Sequence, residues 1–148
     1  VAREPEDSFA GHCPFHGDCL EGMACGPAVS ARWNARLRDL HDREEVWDLE
    51  ARYLAQGLRT YTYVVAPERI LLGGGVMQHE GLIGRVRESL AVRLGDYAAS
   101  ARLRGDLADY VVAPALGQDA GLYGALALAH LSSDAETEPP NSGQHEED

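Results

Sequence analysis

Cys13-Pro14-Phe15-His16-Gly17-Asp18-Cys19 places two thiols and an imidazole at three-residue intervals, and it constrains the fold more tightly than any other stretch of the chain. Pro14, Gly17 and Asp18 allow the backbone to turn sharply, so the three side chains can converge on one point. Thiolate and imidazole donors suit zinc, which takes four tetrahedral ligands in structural sites. The spacing supplies three, and Glu4, His12 and Asp18 are the candidates for the fourth. His12 adjoins Cys13, and neighbouring side chains rarely reach one ion together. A Cys13–Cys19 disulfide, or two free thiols beside a solvated histidine, are the competing readings. Cys25 lies between Ala24 and Gly26, as a packed core thiol would. Three cysteines, all within residues 13–25, do not suit a secreted disulfide framework.

The chain has 148 residues, with 13 Lys+Arg against 24 Asp+Glu and a formal net charge of −11. Every basic residue is an arginine. This balance excludes a nonspecific nucleic-acid binder and attachment to an anionic membrane surface, both of which need basic patches. No apolar run approaches the ~20 residues of a membrane span and no signal peptide opens the chain, so a cytoplasmic protein is expected. The charge is uneven. Ser132 to Asp148 carry Asp134, Glu136, Glu138, Glu146, Glu147 and Asp148 with no arginine, together with Pro139 and Pro140. Such a segment buries too little surface to offset its ordering entropy, so residues 132–148 are expected to be a disordered acidic tail.

Residues 1–19 are rich in proline, glycine, histidine and acids and are expected to form a loop. From Leu20 to about Leu40 a helix is predicted in two pieces, with a bend near Pro27. Asp42 is the expected N-cap of the next helix, with Glu44 and Glu45 favoured in its first turn. Val46, Leu49, Tyr53, Gly57 and Tyr61 supply its apolar spacing, and the Ala66-Pro67 step should end it. Arg69 to Leu72 is predicted as a buried strand. A helix from about Glu80 to Ala98 follows, with Leu82, Val86, Leu90 and Leu94 on one face. Tyr110 to Ala113 is predicted as a second strand. The final helix, from about Asp119 to Leu131, has small residues at Ala120, Gly121, Gly124, Ala125, Ala127 and Ala129 that permit close packing, and Asp119 would cap it. Strands separated by helices indicate an α/β layered fold, in which ligands bind beyond the carboxyl ends of the strands.

Gly73-Gly74-Gly75-Val76 lies at such an end. Without Cβ atoms the backbone can approach a ligand, and its amides could meet a phosphate or line a nucleoside. No Gly-Lys-Ser/Thr follows, and Gly-x-Gly-x-x-Gly is broken at Gln78, so this is neither a Walker A loop nor a dinucleotide fingerprint. A tight turn is the simpler alternative. Leu116 to Gly121 forms a second glycine-bearing turn that could join the first in one pocket. Glu21 lies two residues after the cysteine–histidine run, where a bound metal would fix it; it is either a solvent-facing carboxylate or an acceptor for the hydroxyls of a polyol.

Residues Cys13 to Ala28 resemble the knuckle of bacterial fructokinases of the ROK (repressor, open reading frame, kinase) family. Ile70-Leu71-Leu72-Gly73-Gly74-Gly75-Val76-Met77 looks like that family's second glycine motif, and Pro114 to Gly121 looks like its C-terminal turn. The motifs follow the family's order over residues 1 to about 131. The resemblance implies the C-terminal lobe, residues 20–131, of an actin-like (RNase H-like) α/β ATPase with a zinc knuckle in residues 1–19. It implies ATP-dependent, magnesium-dependent phosphorylation of a hexose, most simply fructose at its 6-hydroxyl. By the same resemblance Cys13, His16 and Cys19 bind structural zinc, Glu21 helps to hold the sugar, and Gly73, Gly74 and Gly75 form the nucleotide turn.

Two departures stand out. The family's first zinc ligand is a histidine in a His-Pro-Asp-Asp-like run, whereas the matching run here is Glu4-Pro5-Glu6-Asp7, which makes Glu4 the expected fourth ligand. The family's Asp-Gly-Gly-Thr-like phosphate loop, its catalytic aspartate and its Glu-x-Gly-His sugar motif belong to an N-terminal lobe that has no match in Val1–Asp148. No catalytic residue is therefore assigned here, and the isolated chain is expected to be inactive until joined by that lobe or a second chain. A lone lobe would expose apolar surface and self-associate, so a homo-oligomer is expected. Two alternatives are a non-catalytic zinc-stabilised interaction module and the effector lobe of a sugar-responsive repressor. The latter is disfavoured by the knuckle spacing and by the lack of a DNA-binding helix pair.

Overall fold

The computed structural model describes residues 1–95 and 103–136. They form two compact units, Val1–Pro114 and a second that begins at Ala115. In the first unit the order is α1 (Leu20–Ala24), α2 (Gly26–Trp33), a 3₁₀ turn at Leu37–Leu40, α3 (Glu44–Val65), β1 (Ile70–Leu71), a 3₁₀ turn at Val76–Gln78, α4 (Leu82–Leu94) and β2 (Val111–Val112). The predicted bend near Pro27 is the break between α1 and α2, with the proline in the first turn of α2, where its missing N–H costs nothing.

The core lies between α3 and α4. Val46, Trp47, Ala51, Ala55 and Leu58 of α3 meet Leu82, Val86, Leu90 and Leu94 of α4, all buried, with Val29, Leu40, Tyr110 and Val111 closing the cluster. The apolar face predicted for α4 is thus the one that is buried. On α3 the stripe drifts with the 3.6-residue period to Leu58 and Thr62. Thr62 is buried and accepts a hydrogen bond from the Tyr110 hydroxyl at 3.0 Å, whereas Tyr61, expected inside, is exposed. Gly57 serves a different contact: a Cβ there would lie 3.1 Å from Cδ1 of Leu20, so the glycine lets α1 close on α3.

Several expected boundaries move. Asp42 does not cap α3. The N-cap is Arg43, which makes no side-chain capping bond. The first turn is served instead by Glu45, whose carboxyl is held below its ordinary pKa by its own backbone N–H and by Arg43. The α3 helix ends at Ala66 in a left-handed conformation, immediately before Pro67, as that proline predicts. The α4 helix starts at Leu82 behind Gly81 rather than at Glu80, and its last residue is Leu94. Residues 96–98 of its expected span fall outside the described residues.

β1 and β2 pair in parallel, Ile70 with Val111 and Leu71 with Val112, joined by bonds from Ile70 N to Tyr110 O (2.7 Å) and Leu72 N to Val112 O (2.9 Å). A parallel pair needs a crossover, and α4 provides it. Among the described residues the sheet has two strands, so β1 is an edge and Leu71 is 65% exposed rather than buried as expected.

The second unit carries a 3₁₀ turn at Gly117–Asp119 and α5 (Ala120–Glu136). Asp119 lies within that turn instead of capping the helix. Its C-cap N–H bond runs from Ala120 to the Gly117 carbonyl, so the backbone closes the turn itself. The α5 helix passes Ser132, where the acidic tail was expected to begin; residues 137–148 of that tail lie outside the described residues. Leu122, Leu126, Leu128 and Leu131 are exposed along it. No helix among the described residues is long and apolar enough to cross a membrane.

Candidate metal centre and glycine turn

The Cys13–Cys19 run folds back on itself. Cys13 and Gly17 form an antiparallel bridge, with Gly17 N donating to Cys13 O at 3.0 Å and Cys13 N to Gly17 O at 3.3 Å. Cys19 caps α1, its Sγ accepting from Gly22 N at 3.4 Å. These two constraints bring the donor atoms of Cys13, His16 and Cys19 within 4.8 Å of one another. Cys13 Sγ and His16 Nδ1 are 3.7 Å apart. All three cysteines are free thiols. The Cys13 thiol is pulled down to about 7 by hydrogen bonds from the backbone of Phe15 and His16, with smaller help from the side chains of His16 and Cys19. A thiolate is thus accessible near neutral pH, which is the form that ligates a metal. Two soft sulfur donors and an imidazole at this separation fit zinc by both chemistry and size.

The knuckle is pressed onto α1. His12 N donates to Gly22 O at 2.8 Å. A Cβ on Gly22 would collide with the Gly17 carbonyl and lie 2.9 Å from Cys13 Cβ, so only glycine allows the approach. Glu21 sits exposed in the first turn of α1, two residues beyond Cys19.

Glu4, expected as the fourth ligand, is not among the gathered residues. Its Oε1 accepts from Gln56 Nε2 and from Arg93, each at 2.7 Å, and Arg52 lies 3.7 Å from Oε2. Two guanidinium groups and an amide hold the carboxylate on α3 and α4. Asp18 is likewise paired, with Arg3 at 3.1 Å, and the His12 ring is exposed.

Beneath this loop lies a buried charged layer that sequence reading did not find. Asp7 Oδ2 is 3.1 Å from Arg32 Nε, and their side chains are 4% and 6% exposed. The Tyr53 hydroxyl donates to Asp7 at 2.7 Å, and Phe9 N meets the other oxygen at 2.9 Å. Arg32 also donates to Met23 O and stacks on the rings of Phe9 and Tyr53. Attraction between the two charges and these added bonds offset the desolvation of the pair, although Arg32 Nε itself makes no hydrogen bond. Burial, with the Asp7 bond, pushes the Tyr53 hydroxyl up to about 12, against a smaller opposing pull from the Glu4 backbone N–H. Glu50 is fully buried and neither carboxyl oxygen has a hydrogen-bond partner. Burial raises its pKa to about 8, against a smaller opposing pull from Arg32. One signal for Glu50 was legible, since an acid stands between Leu49 and Tyr53 on the apolar face of α3.

The glycine turn is built differently. It leaves the carboxyl end of β1, beside that of β2. Gly73 is a packing residue, because a Cβ there would lie 2.7 Å from Pro114 Cγ. Gly74 and Gly75 are exposed, and a Cβ on either would meet nothing within 4 Å. Gly74 has φ +102°, which disfavours side chains. After the turn, His79 stacks on Trp47 with ring centroids 3.9 Å apart, fixing the chain against α3. Burial lowers the His79 pKa, helped by His41 and Arg85.

The model of the ROK family matches residues 3–132, and the chain belongs to that family. A protein of Bacillus subtilis strain 168, provisionally named a fructokinase, is 43% identical over 136 residues, which is 92% of this chain and 46% of that protein. The fructokinase of Streptococcus mutans is 41% identical over 133 residues, 87% of this chain and 44% of its own length. The fructokinase of Zymomonas mobilis is 39% identical over 130 residues, 86% of this chain and 42% of its own. The chain spans less than half the length of the curated relatives it matches. Membership of the family implies an actin-like ATPase fold, and the mixed helices with a small parallel pair fit an α/β part of one.

Proposed function

We propose that this chain is the C-terminal lobe of an ATP-dependent hexose kinase that phosphorylates fructose at its 6-hydroxyl. The observation that carries this reading is the 39–43% identity to proteins named as fructokinases across most of the chain. Zinc held by Cys13, His16 and Cys19 acts as a structural cross-link. It stiffens the loop ahead of α1, and so positions Glu21 to accept hydrogen bonds from sugar hydroxyls. Gly74 and Gly75 give the adenosine part of ATP a surface free of side chains. Magnesium accompanies the phosphates, and no residue of this chain is assigned to it.

Phosphoryl transfer needs phosphate-binding groups and a carboxylate that orients the attacking hydroxyl. Val1–Asp148 contains no Asp-Gly-Gly-Thr-like loop to provide them. In this reading they belong to an N-terminal lobe, in the same polypeptide or in a second chain, and the working enzyme is a cytoplasmic homo-oligomer. A coupled assay tests it. Fructose-dependent ADP formation is expected when the chain is joined to the N-terminal half of the Streptococcus mutans fructokinase, and not from the chain alone. Turnover by the chain alone overturns the lobe assignment, and a folded but inactive joined protein overturns the kinase assignment.

A further inference from the structure

We infer that the knuckle takes three metal ligands from this chain, Cys13, His16 and Cys19, and leaves the fourth position to a small exogenous donor. The inference rests on the zinc reading above and adds what occupies the remaining coordination site. Zinc with two thiolates and one imidazole requires one further donor to complete a tetrahedron. Cys13, His16 and Cys19 are the residues gathered within ligating distance, and no other His, Cys, Asp or Glu joins them among the described residues.

None of the neighbours that could have completed the set is placed with these three donors. Glu4 is held by Gln56 at 2.7 Å and Arg93 at 2.7 Å, with Arg52 close by. Releasing it would leave Arg93 without the one carboxylate it pairs with among the described ion pairs. Its backbone is also fixed, with Glu4 N donating to the Tyr53 hydroxyl at 3.1 Å and Glu4 O accepting from Asp7 N at 3.0 Å. Asp18 is paired with Arg3. His12 adjoins Cys13, its ring is exposed, and it is not among the gathered donors. His16 is exposed and the two cysteines are half-buried, so the open position faces solvent. The ligand class is therefore a monodentate donor: water, displaceable by a small anion or thiolate. Glu4, in turn, clamps the N-terminal segment onto α3 and α4.

The test uses the full chain loaded with Co²⁺, whose visible bands report coordination where zinc is silent. Metal analysis should give one ion per chain. Azide should shift the cobalt bands saturably with no loss of metal. Glu4→Gln and His12→Ala should each hold metal within about threefold of the parent, below the 10–100-fold cost usual for even outer-shell partners. Bands indifferent to azide, or a tenfold or greater loss of affinity in either variant, overturn the open position while leaving the zinc reading intact. A parent chain that binds no metal, and behaves as Cys13→Ser does, overturns both.

Discussion

The knuckle and the glycine turn are both short, glycine-bearing segments, yet their glycines answer to opposite demands. At the knuckle, Gly22 is required by what the chain itself packs there, the Gly17 carbonyl and Cys13. At the turn, Gly74 and Gly75 border space that the chain leaves open. The knuckle also stands on a buried ionic layer, whereas the turn is held by stacking of His79 on Trp47. Glycine in one region thus records internal close packing. In the other it borders open space.

Substitutions should separate the two regions. The largest effect is expected from Asp7→Ala, which strands Arg32 as an unpaired buried charge and should cost about 3–5 kcal/mol in urea unfolding. A loss below about 1 kcal/mol would mean that water reaches Arg32, contrary to its burial. Gly22→Ala should cost about 1–3 kcal/mol through overpacking, and should weaken metal binding in the same protein. Unchanged metal affinity in a destabilised Gly22→Ala chain would uncouple the knuckle from α1.

Glu50 adds a pH signature to the region beneath the knuckle. Its folded pKa is about 8, above the ordinary 4.5 of the unfolded chain. Below 4.5 the carboxyl is protonated in both states. As pH rises from there toward about 8, the unfolded chain ionises first, so stability falls, and it levels off above that. Glu50→Gln removes this slope, and at pH 8 it should gain roughly 1 kcal/mol or more over the parent relative to pH 4.5. Parallel pH profiles for the two proteins would show that Glu50 is already ionised when folded.

The smallest stability effect belongs to Gly75→Ala. Gly75 has helical dihedrals and open surroundings, so the melting curve should move by less than about 0.5 kcal/mol. In the enzyme proposed above the same change should weaken nucleotide binding, measured by calorimetry. Unaltered affinity would leave the turn without a ligand role.

Much of this was legible in sequence because it is local. The convergence of Cys13, His16 and Cys19 follows from tight-turn residues between them. The burial of Leu82, Val86, Leu90 and Leu94 follows from helical period, and the start of α2 and the end of α3 from Pro27 and Pro67. The exposure of Tyr61 was not legible, because a 3.6-residue period does not say which of two adjacent rows faces the core once a helix outruns its cover. Nor was the exposure of Leu71, since an apolar run does not reveal that its strand lies at an edge.

By itself, then, the sequence determined the helices, the two strands, the gathering of Cys13, His16 and Cys19 and the glycine turn. These rest on periodicity, backbone preference and short-range spacing. Only the tertiary structure decided the fate of the charges. Glu4 pairs with Arg93, far along the chain, rather than joining Cys13, His16 and Cys19, Asp7 was sealed against Arg32, and Glu50 was buried without a hydrogen-bond partner. The energy of a charge depends on solvent and on partners brought from distant positions, and neither is written in its immediate neighbours.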